Sequence, residues 1–322
     1  MAYTRWRAGW AIVVMALVGL VGCGDDDASI NLSVDGQNGG QNGGDEGGTP
    51  PASTLLYCQD DAPALDAGRV DTVTQSTDID GQTIDVAMTL YTPALEEGEC
   101  APLIVHSHGF GGSRITNLDD VADDSNASDV ATRNAWQSGY FVVSFDQRGF
   151  GETGGSVKVE NPDFEGRDTR AVIDHAIEQF EGHLAYRRGE PVIGALGLSY
   201  GGGFQLVGAG VDPRIDAIVP AATWYDLTYS LAPNDTPKTV WLDLLVLLGV
   251  VGAEGALDPF LYEGFLQAQF GNISDDILTE VRGNGLNAFC EGLRPSEGVP
   301  RVDAFFVQGV NDTHVQHERG RA

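Results

Sequence analysis

Apolar and polar positions alternate with period two early in the chain, and then the pattern changes. In "RVDTVTQSTDIDGQTIDVAMTLYTPA" two alternating runs flank Asp80-Gly81, which predicts a β-hairpin. "PLIVHSH" at 102–108 and "YFVVSFD" at 140–146 are instead continuous apolar runs, as expected of parallel strands covered on both faces. Between them "NASDVATRNAWQSG" predicts a helix closed by Gly139. "DFEGRDTRAVIDHAIEQFEG" sets Val172, Ile173, Ala176, Ile177 and Phe180 at helical spacing, again closed by a glycine. "PVIGALG" and "RIDAIVPAA" predict two more strands, and strands alternating with helices predict an α/β fold with a mostly parallel central sheet. After the strand at 215–219 comes "TPKTVWLDLLVLLGVVGA", Thr236 to Ala253, a predicted helix with a Thr-Pro start and too much apolar character for a free surface helix. With "FLYEGFLQAQF" and "DDILTEVRGNGLNAF" it predicts a helical lid over about 225–298.

The N-terminal end departs from this pattern. "MAYTRWRAGWAIVVMALVGLVGC" has Arg5 and Arg7 in front, an apolar run from about Ala11 to Val21, and a small residue before a cysteine, which is signal-peptide anatomy. The run is shorter than the roughly 20 residues of a spanning helix. "LVGC" at Leu20 to Cys23 resembles the bacterial lipoprotein lipobox, which implies cleavage before Cys23 and a diacylglycerol on its sulfur. The alternative is a secretory signal that happens to contain a cysteine. Residues 24–53 are rich in Gly, Asn, Gln and acidic side chains and hold too little apolar surface to repay ordering, so they read as a flexible tether. The expected organisation is a signal peptide over 1–22, a lipidated Cys23 with its tether over 23–54, and a catalytic-type domain over 55–322. The expected location is the bacterial cell envelope, lipid-anchored to a membrane and facing outside the cytoplasm.

Charge narrows the partners. A formal net charge of −29 repels phosphate backbones and anionic headgroups, so nucleic acid is not an expected partner. No CxxC or His/Cys cluster suggests a metal, and no cofactor is expected. Besides Cys23 the chain has Cys58, Cys100 and Cys290, an odd number; Cys58 with Cys100 would staple the domain, but sequence leaves the connectivity open.

The chemistry lies in "PVIGALGLSYGGGFQ". Gly197-Leu198-Ser199-Tyr200-Gly201 matches G-x-S-x-G between a predicted strand and a predicted helix, where a serine on a strained turn is an exposed nucleophile. "HSHGFGGS" follows the strand at 102–108, and a glycine-rich turn there can aim N–H groups at an oxyanion, with Phe110 and Tyr200 as the donors.

"HGFGG", "VVSFDQRGFGETGG", "LGLSYGG" and "DPRIDAIVPAATWYDLTYSLAP" together resemble the X-Pro dipeptidyl-peptidase and cocaine-esterase-like branch of the α/β-hydrolases, over roughly residues 65 to 315. The resemblance implies the α/β-hydrolase fold with a lid insertion and hydrolysis of a small ester, amide or peptide. It implies a structural loop around Asp146 and Arg148, with the pair fixing the turn, and a triad carboxylate at Asp312 in "QGVND", with Asp226 as the runner-up. Where characterised esterases of the branch carry a tyrosine oxyanion donor, this chain has His108-Gly109-Phe110. In the hydrolase order of serine, acid and histidine, the histidine follows one further strand. Here His314 and His317 share the loop of Asp312, and His106, His108, His175 and His183 lie elsewhere. The last helix, the last strand and the catalytic histidine are therefore expected to be missing, through truncation or a frameshift near Thr313. The function so read is a cell-surface serine hydrolase of doubtful activity in this chain; the alternative is a binding lipoprotein on a hydrolase fold.

Overall fold

The computed structural model describes residues 17–21 (backbone), 56–58, 62–294 and 300–309. Its eleven strands are β1 (Leu17–Val21), β2 (Tyr57–Cys58), β3 (Gly68–Thr77), β4 (Thr83–Thr92), β5 (Leu103–Ser107), β6 (Phe141–Phe145), β7 (Ala185–Arg187), β8 (Glu190–Pro191), β9 (Ile193–Leu198), β10 (Ile215–Ala221) and β11 (Val302–Phe306). Eight of them form one sheet in the order β1-β11-β10-β9-β5-β6-β4-β3. The hairpin expected at Asp80-Gly81 is present: β3 and β4 pair antiparallel from Gly68↔Thr92 to Thr77↔Thr83. From β6 through β5, β9 and β10 to β11 the pairing is parallel. The strands read as continuous apolar runs are the buried centre, with Leu103, Val105, Phe141, Val142 and Val143 wholly inaccessible.

Helices α1 (Ala127–Gln137), α2 (Glu165–Gln179) and α3 (Tyr200–Val211) cover the sheet. Asn126 caps α1 by accepting the Asp129 N–H. The spacing read in α2 is its packed face: Val172, Ile173, Ala176 and Phe180 join one core cluster with Val105, Phe145, Ile193 and Phe204.

The lid comprises α4 (Leu227–Leu231), α5 (Thr239–Gly252), α6 (Pro259–Gln269), α7 (Asp275–Arg282) and α8 (Leu286–Cys290). Helix α5 starts three residues after Thr236, beyond Pro237, with Lys238 at its N-cap. It is buried on one side only: Val240, Leu247 and Val251 of the opposite side are exposed. A buried ion pair ties the sheet to the body of the fold, and Cys58 is disulfide-bonded to Cys100, the pairing the sequence left open.

The edge of the sheet beyond β11 is paired by β1, antiparallel from Leu17↔Phe306 to Val21↔Val302. These residues fall within the expected signal peptide. Among the described residues, no helix is long and apolar enough to cross a membrane.

Candidate active site

Ser199 occupies the junction between β9 and α3, with φ 57° and ψ −114°. A non-glycine residue holds that conformation only where its surroundings impose it. The cause is crowding by backbone. A Cβ at Gly197 would sit 1.9 Å from the Gly201 carbonyl oxygen, and one at Gly201 would sit 2.2 Å from the Ser107 oxygen, so both positions exclude every other residue. The Ser199 N–H donates to the Ala221 oxygen at 2.8 Å, and the Ser199 carbonyl accepts from Gly202 and Gly203 at 2.8 and 3.0 Å. One buried amide braces the turn from below: Gln205 donates to the Gly201 oxygen at 2.8 Å and accepts from Val219 N–H at 2.9 Å. Sequence reading missed Gln205, whose only signal was a polar residue inside a helix of small and apolar ones.

The loop after β5 runs beside this turn. An ideal Cβ on Gly109 would lie 4.0 Å from the Ser199 Cβ. The Gly112 N–H closes the loop on the Gly109 oxygen at 2.9 Å, and neither the Phe110 nor the Tyr200 N–H enters a backbone bond among the described residues. Rings of Phe110, Phe150 and Tyr200 meet edge to face at 5.2 to 5.8 Å and fix the loop against α3.

His108 turns away from Ser199. Its Nε2 accepts the Gln147 N–H at 3.1 Å and its Nδ1–H donates to the Gly109 oxygen at 2.8 Å, a neutral tautomer. Burial pulls it down to about 4. His106 accepts from the Ser144 hydroxyl at 3.0 Å and faces Asp129 at 3.3 Å, and His183 reaches the Pro63 oxygen. The Ser144 oxygen in turn accepts the Ile115 N–H at 2.9 Å, so His106 steadies the same loop. Among the described residues no histidine hydrogen-bonds Ser199.

Asp146 and Arg148, read as one pair fixing a turn, instead take separate partners. Asp146 pairs with Arg114 and accepts the Glu152 N–H, tying the β5 loop to the turn after β6. Arg148, 1 % exposed, forks onto both Asp168 oxygens at 2.8 and 2.9 Å and reaches Asp78 at 2.9 Å. Asp168 and Asp78 escaped the sequence reading as partners of Arg148 because they lie twenty and seventy positions from it. Behind Tyr200 lies a further acidic pair. Both Glu165 oxygens accept backbone N–H groups, of Lys158 and Asn161, and both Glu160 oxygens lack a partner. Burial is the first cause that pushes Glu165 up to about 8 and Glu160 well above the usual carboxylate range, with neighbouring acids adding to it. Asp226, the runner-up acid, caps α4 by accepting the Tyr229 N–H at 3.1 Å.

Ser199 opens onto a cavity of about 1020 Å³, mouth included, between the sheet and helices α4 to α7. Phe110, Tyr200 and Trp224 line its inner end and Leu245, Val246 and Phe265 its lid side. The lid rests on the loop through backbone. A Cβ on Gly252 of α5 would lie 2.3 Å from the Gly111 oxygen, and one on Gly111 would lie 2.8 Å from the Leu248 oxygen. Strand β11 delivers the next segment to the same end of the sheet, since Ala222 N–H donates to the Val307 oxygen at 2.7 Å. Asp312, His314 and His317 follow it and, like Cys23, lie outside the described residues.

A family model described as X-Pro dipeptidyl-peptidase (S15 family) matches residues 80–320. The quorum-quenching protein AidA of Acinetobacter baumannii (strain MDR-ZJ06) is 27% identical over 191 residues, covering 56% of this chain and 55% of that protein. An uncharacterized 31.7 kDa protein of Escherichia coli is 32% identical over 143 residues, 44% of this chain and 43% of that one. The chain thus spans about half the length of these relatives. Among solved structures, a CocE/NonD family hydrolase of Staphylococcus aureus is similar at 16% identity and TM-score 0.45, over 68% of this chain and 42% of that one. Acetyl xylan esterase 1 of Thermoanaerobacterium sp. JW/SL YS485 is similar at 16% identity and TM-score 0.44, over 73% and 68%.

Proposed function

Since the chain belongs to the X-Pro dipeptidyl-peptidase (S15) family of α/β-hydrolases, we propose that it is a serine hydrolase in which Ser199 attacks the carbonyl of an ester or amide. The observation that carries this reading is the Ser199 turn itself, a strained φ of 57° kept beside an open cavity. The hydroxyl oxygen adds to the carbonyl carbon, and the carbonyl oxygen takes the negative charge. The Phe110 and Tyr200 N–H groups, which no backbone carbonyl occupies, are the proposed donors to that oxygen. Collapse of the adduct expels the alcohol or amine with the serine's proton. Water then attacks the acyl-enzyme and returns Ser199 with a free acid. Asp312 is the proposed triad carboxylate, and the histidine it would orient is not among the described ones, none of which hydrogen-bonds Ser199. Esterase action is favoured over peptidase action, because none of the described residues lining the cavity carries a charge that could anchor a peptide's free amine.

A second reading, a binding protein that no longer catalyses, is favoured by one observation: all four described histidines are engaged or placed away from Ser199. Turnover of p-nitrophenyl acetate separates the two. On the enzyme reading Ser199→Ala loses at least about 1,000-fold in kcat/KM. Equal slow rates for both proteins would leave binding as the function.

The proposed setting is the cell envelope, through lipid on Cys23. The sequence of "LVGC" supports it. Globomycin is expected to block processing and labelled palmitate to appear on the protein; an unlabelled, normally processed chain would remove the anchor from the proposal.

A further inference from the structure

The cavity beside Ser199 has a chemical character that restricts what can enter it. Among the described residues, none that line it carries a charge. Besides the Ser199 and Ser230 hydroxyls, the polar side chains among them are already engaged with protein: Trp224 Nε1–H donates to the Asn284 oxygen at 3.0 Å, the Thr228 hydroxyl donates to the Leu278 oxygen at 3.5 Å, and the Tyr200 hydroxyl accepts the Glu160 N–H at 3.3 Å. What faces the interior is hydrocarbon and aromatic ring. The nearest buried carboxylates, Glu160 and Glu165, stand behind Val159 and Tyr200 and are absent from the lining.

We infer that this cavity takes the hydrocarbon chain of an acyl group, so that the substrates are esters of apolar acids and not peptides with a free amino terminus. An ammonium group entering here would lose its water and gain no counter-charge. A methylene chain gains from every carbon buried, by the ordinary hydrophobic effect. The acyl part belongs inside for a kinetic reason: it stays on the serine through both half-reactions, whereas the leaving group must reach solvent after the first. A half-open apolar space roofed by α5 and α6 suits the resident group. The inference rests on Ser199 as nucleophile only in assigning the chain to the acyl side; the selectivity of the cavity for hydrocarbon stands without it.

Binding and turnover test the two separately. In the full chain carrying Ser199→Ala, calorimetric titration with methyl acetate, methyl butanoate and methyl octanoate is expected to show affinity rising about threefold to fourfold per added methylene. The methyl ester of glycyl-proline, which carries a free amine, is expected to bind at least about 50-fold more weakly than methyl octanoate. Val246→Asp, a change on the half-buried lid side of the cavity, should remove most of the chain-length dependence, and Phe265→Trp should shorten the preferred chain. Affinity that is flat in chain length, or that favours the dipeptide ester, overturns the inference. So does a chain-length dependence that both lid variants leave intact, since the hydrocarbon would then sit elsewhere. Turnover of p-nitrophenyl acetate that depends on Ser199, together with flat binding, would sink the acyl cavity and keep the hydrolase. Steep binding without any such turnover would sink the hydrolase and keep the cavity.

Discussion

Glu160 shows how far a single side chain can be pushed by its position. It is wholly buried at a φ of 59°, with both carboxyl oxygens unpartnered, beside a Glu165 whose oxygens are taken by two N–H groups. A carboxyl in that place keeps its proton. In the unfolded chain both acids ionise near 4.5, while in the folded chain Glu165 is raised to about 8 and Glu160 well above its ordinary value. Raised acids contribute stability that is complete below about 4.5 and is lost as pH rises through the folded values. His108 acts in the opposite sense: lowered from 6.5 to about 4, it loses stability as pH falls across that interval. Between pH 6.5 and 8 only the acids act, so the urea midpoint is expected to fall with rising pH, by up to about 1.4 kcal/mol per unit for one proton. Glu160→Gln should flatten that slope. A midpoint that is constant or climbs across the window in the parent protein would show the pair to be ionised when folded. None of this was legible beforehand, because in sequence Glu160 and Glu165 are two acids among forty-seven.

Arg148 joins three elements at once. It stands in the turn after β6 and holds Asp168 on α2 and Asp78 at the end of β3. Its guanidinium is therefore a fastener of the sheet to α2, and removing it leaves two carboxylates buried without a counter-charge. Arg148→Met is expected to cost about 3–5 kcal/mol, read from urea unfolding. Asp168→Asn added to it should give part of that back, because one of the stranded charges is gone. A loss below about 1 kcal/mol would mean that water reaches the cluster. The elements themselves were easier to anticipate than their fastenings. Continuous apolar runs marked β5 and β6, a Gly-bounded 3.6 period marked α2, and Asp80-Gly81 marked the hairpin, since each depends on neighbours in sequence. Arg148 was placed in scaffolding for a sound reason and given the wrong partner, since periodicity carries no information about a contact seventy residues distant. Helix α5 taught a similar lesson. Its apolar composition marked it as more than a free surface helix but not which side would pack: one side lines the cavity and Val240, Leu247 and Val251 stand outside.

At the scale of the whole molecule, the hydrolase architecture was readable because its signals recur: alternating strands and helices, one G-x-S-x-G at a strand end, and an apolar insertion after β10. The sheet order and the parallel run from β6 to β11 follow from that succession. Ser199, Phe110 and Tyr200 lie beside one another because G-x-S-x-G and the glycine-rich turn are local devices at adjacent strand ends. Asp312 is legible in sequence and lies outside the described residues. The chemical character of the cavity was not legible, since it is assembled from side chains of α4 to α7 and the loop after β5, whose common surface exists only once they pack.

The contact of Gly111 with Gly252 has a consequence for how the two ends of the site communicate. Backbone meets backbone there, with no rotamer between them to absorb a displacement. A shift of α5 is therefore transmitted to the peptide that follows Phe110. On the proposed hydrolase reading, occupancy of the lid side and of the proposed oxyanion turn would be linked, and such linkage runs equally in both directions. On that reading, a ligand that holds α5 would tighten the hold on a tetrahedral anion at Ser199 by some factor. A phosphonate on Ser199 must sharpen affinity for a hydrocarbon by that same factor, and a single side chain larger than hydrogen at position 252 would uncouple the two.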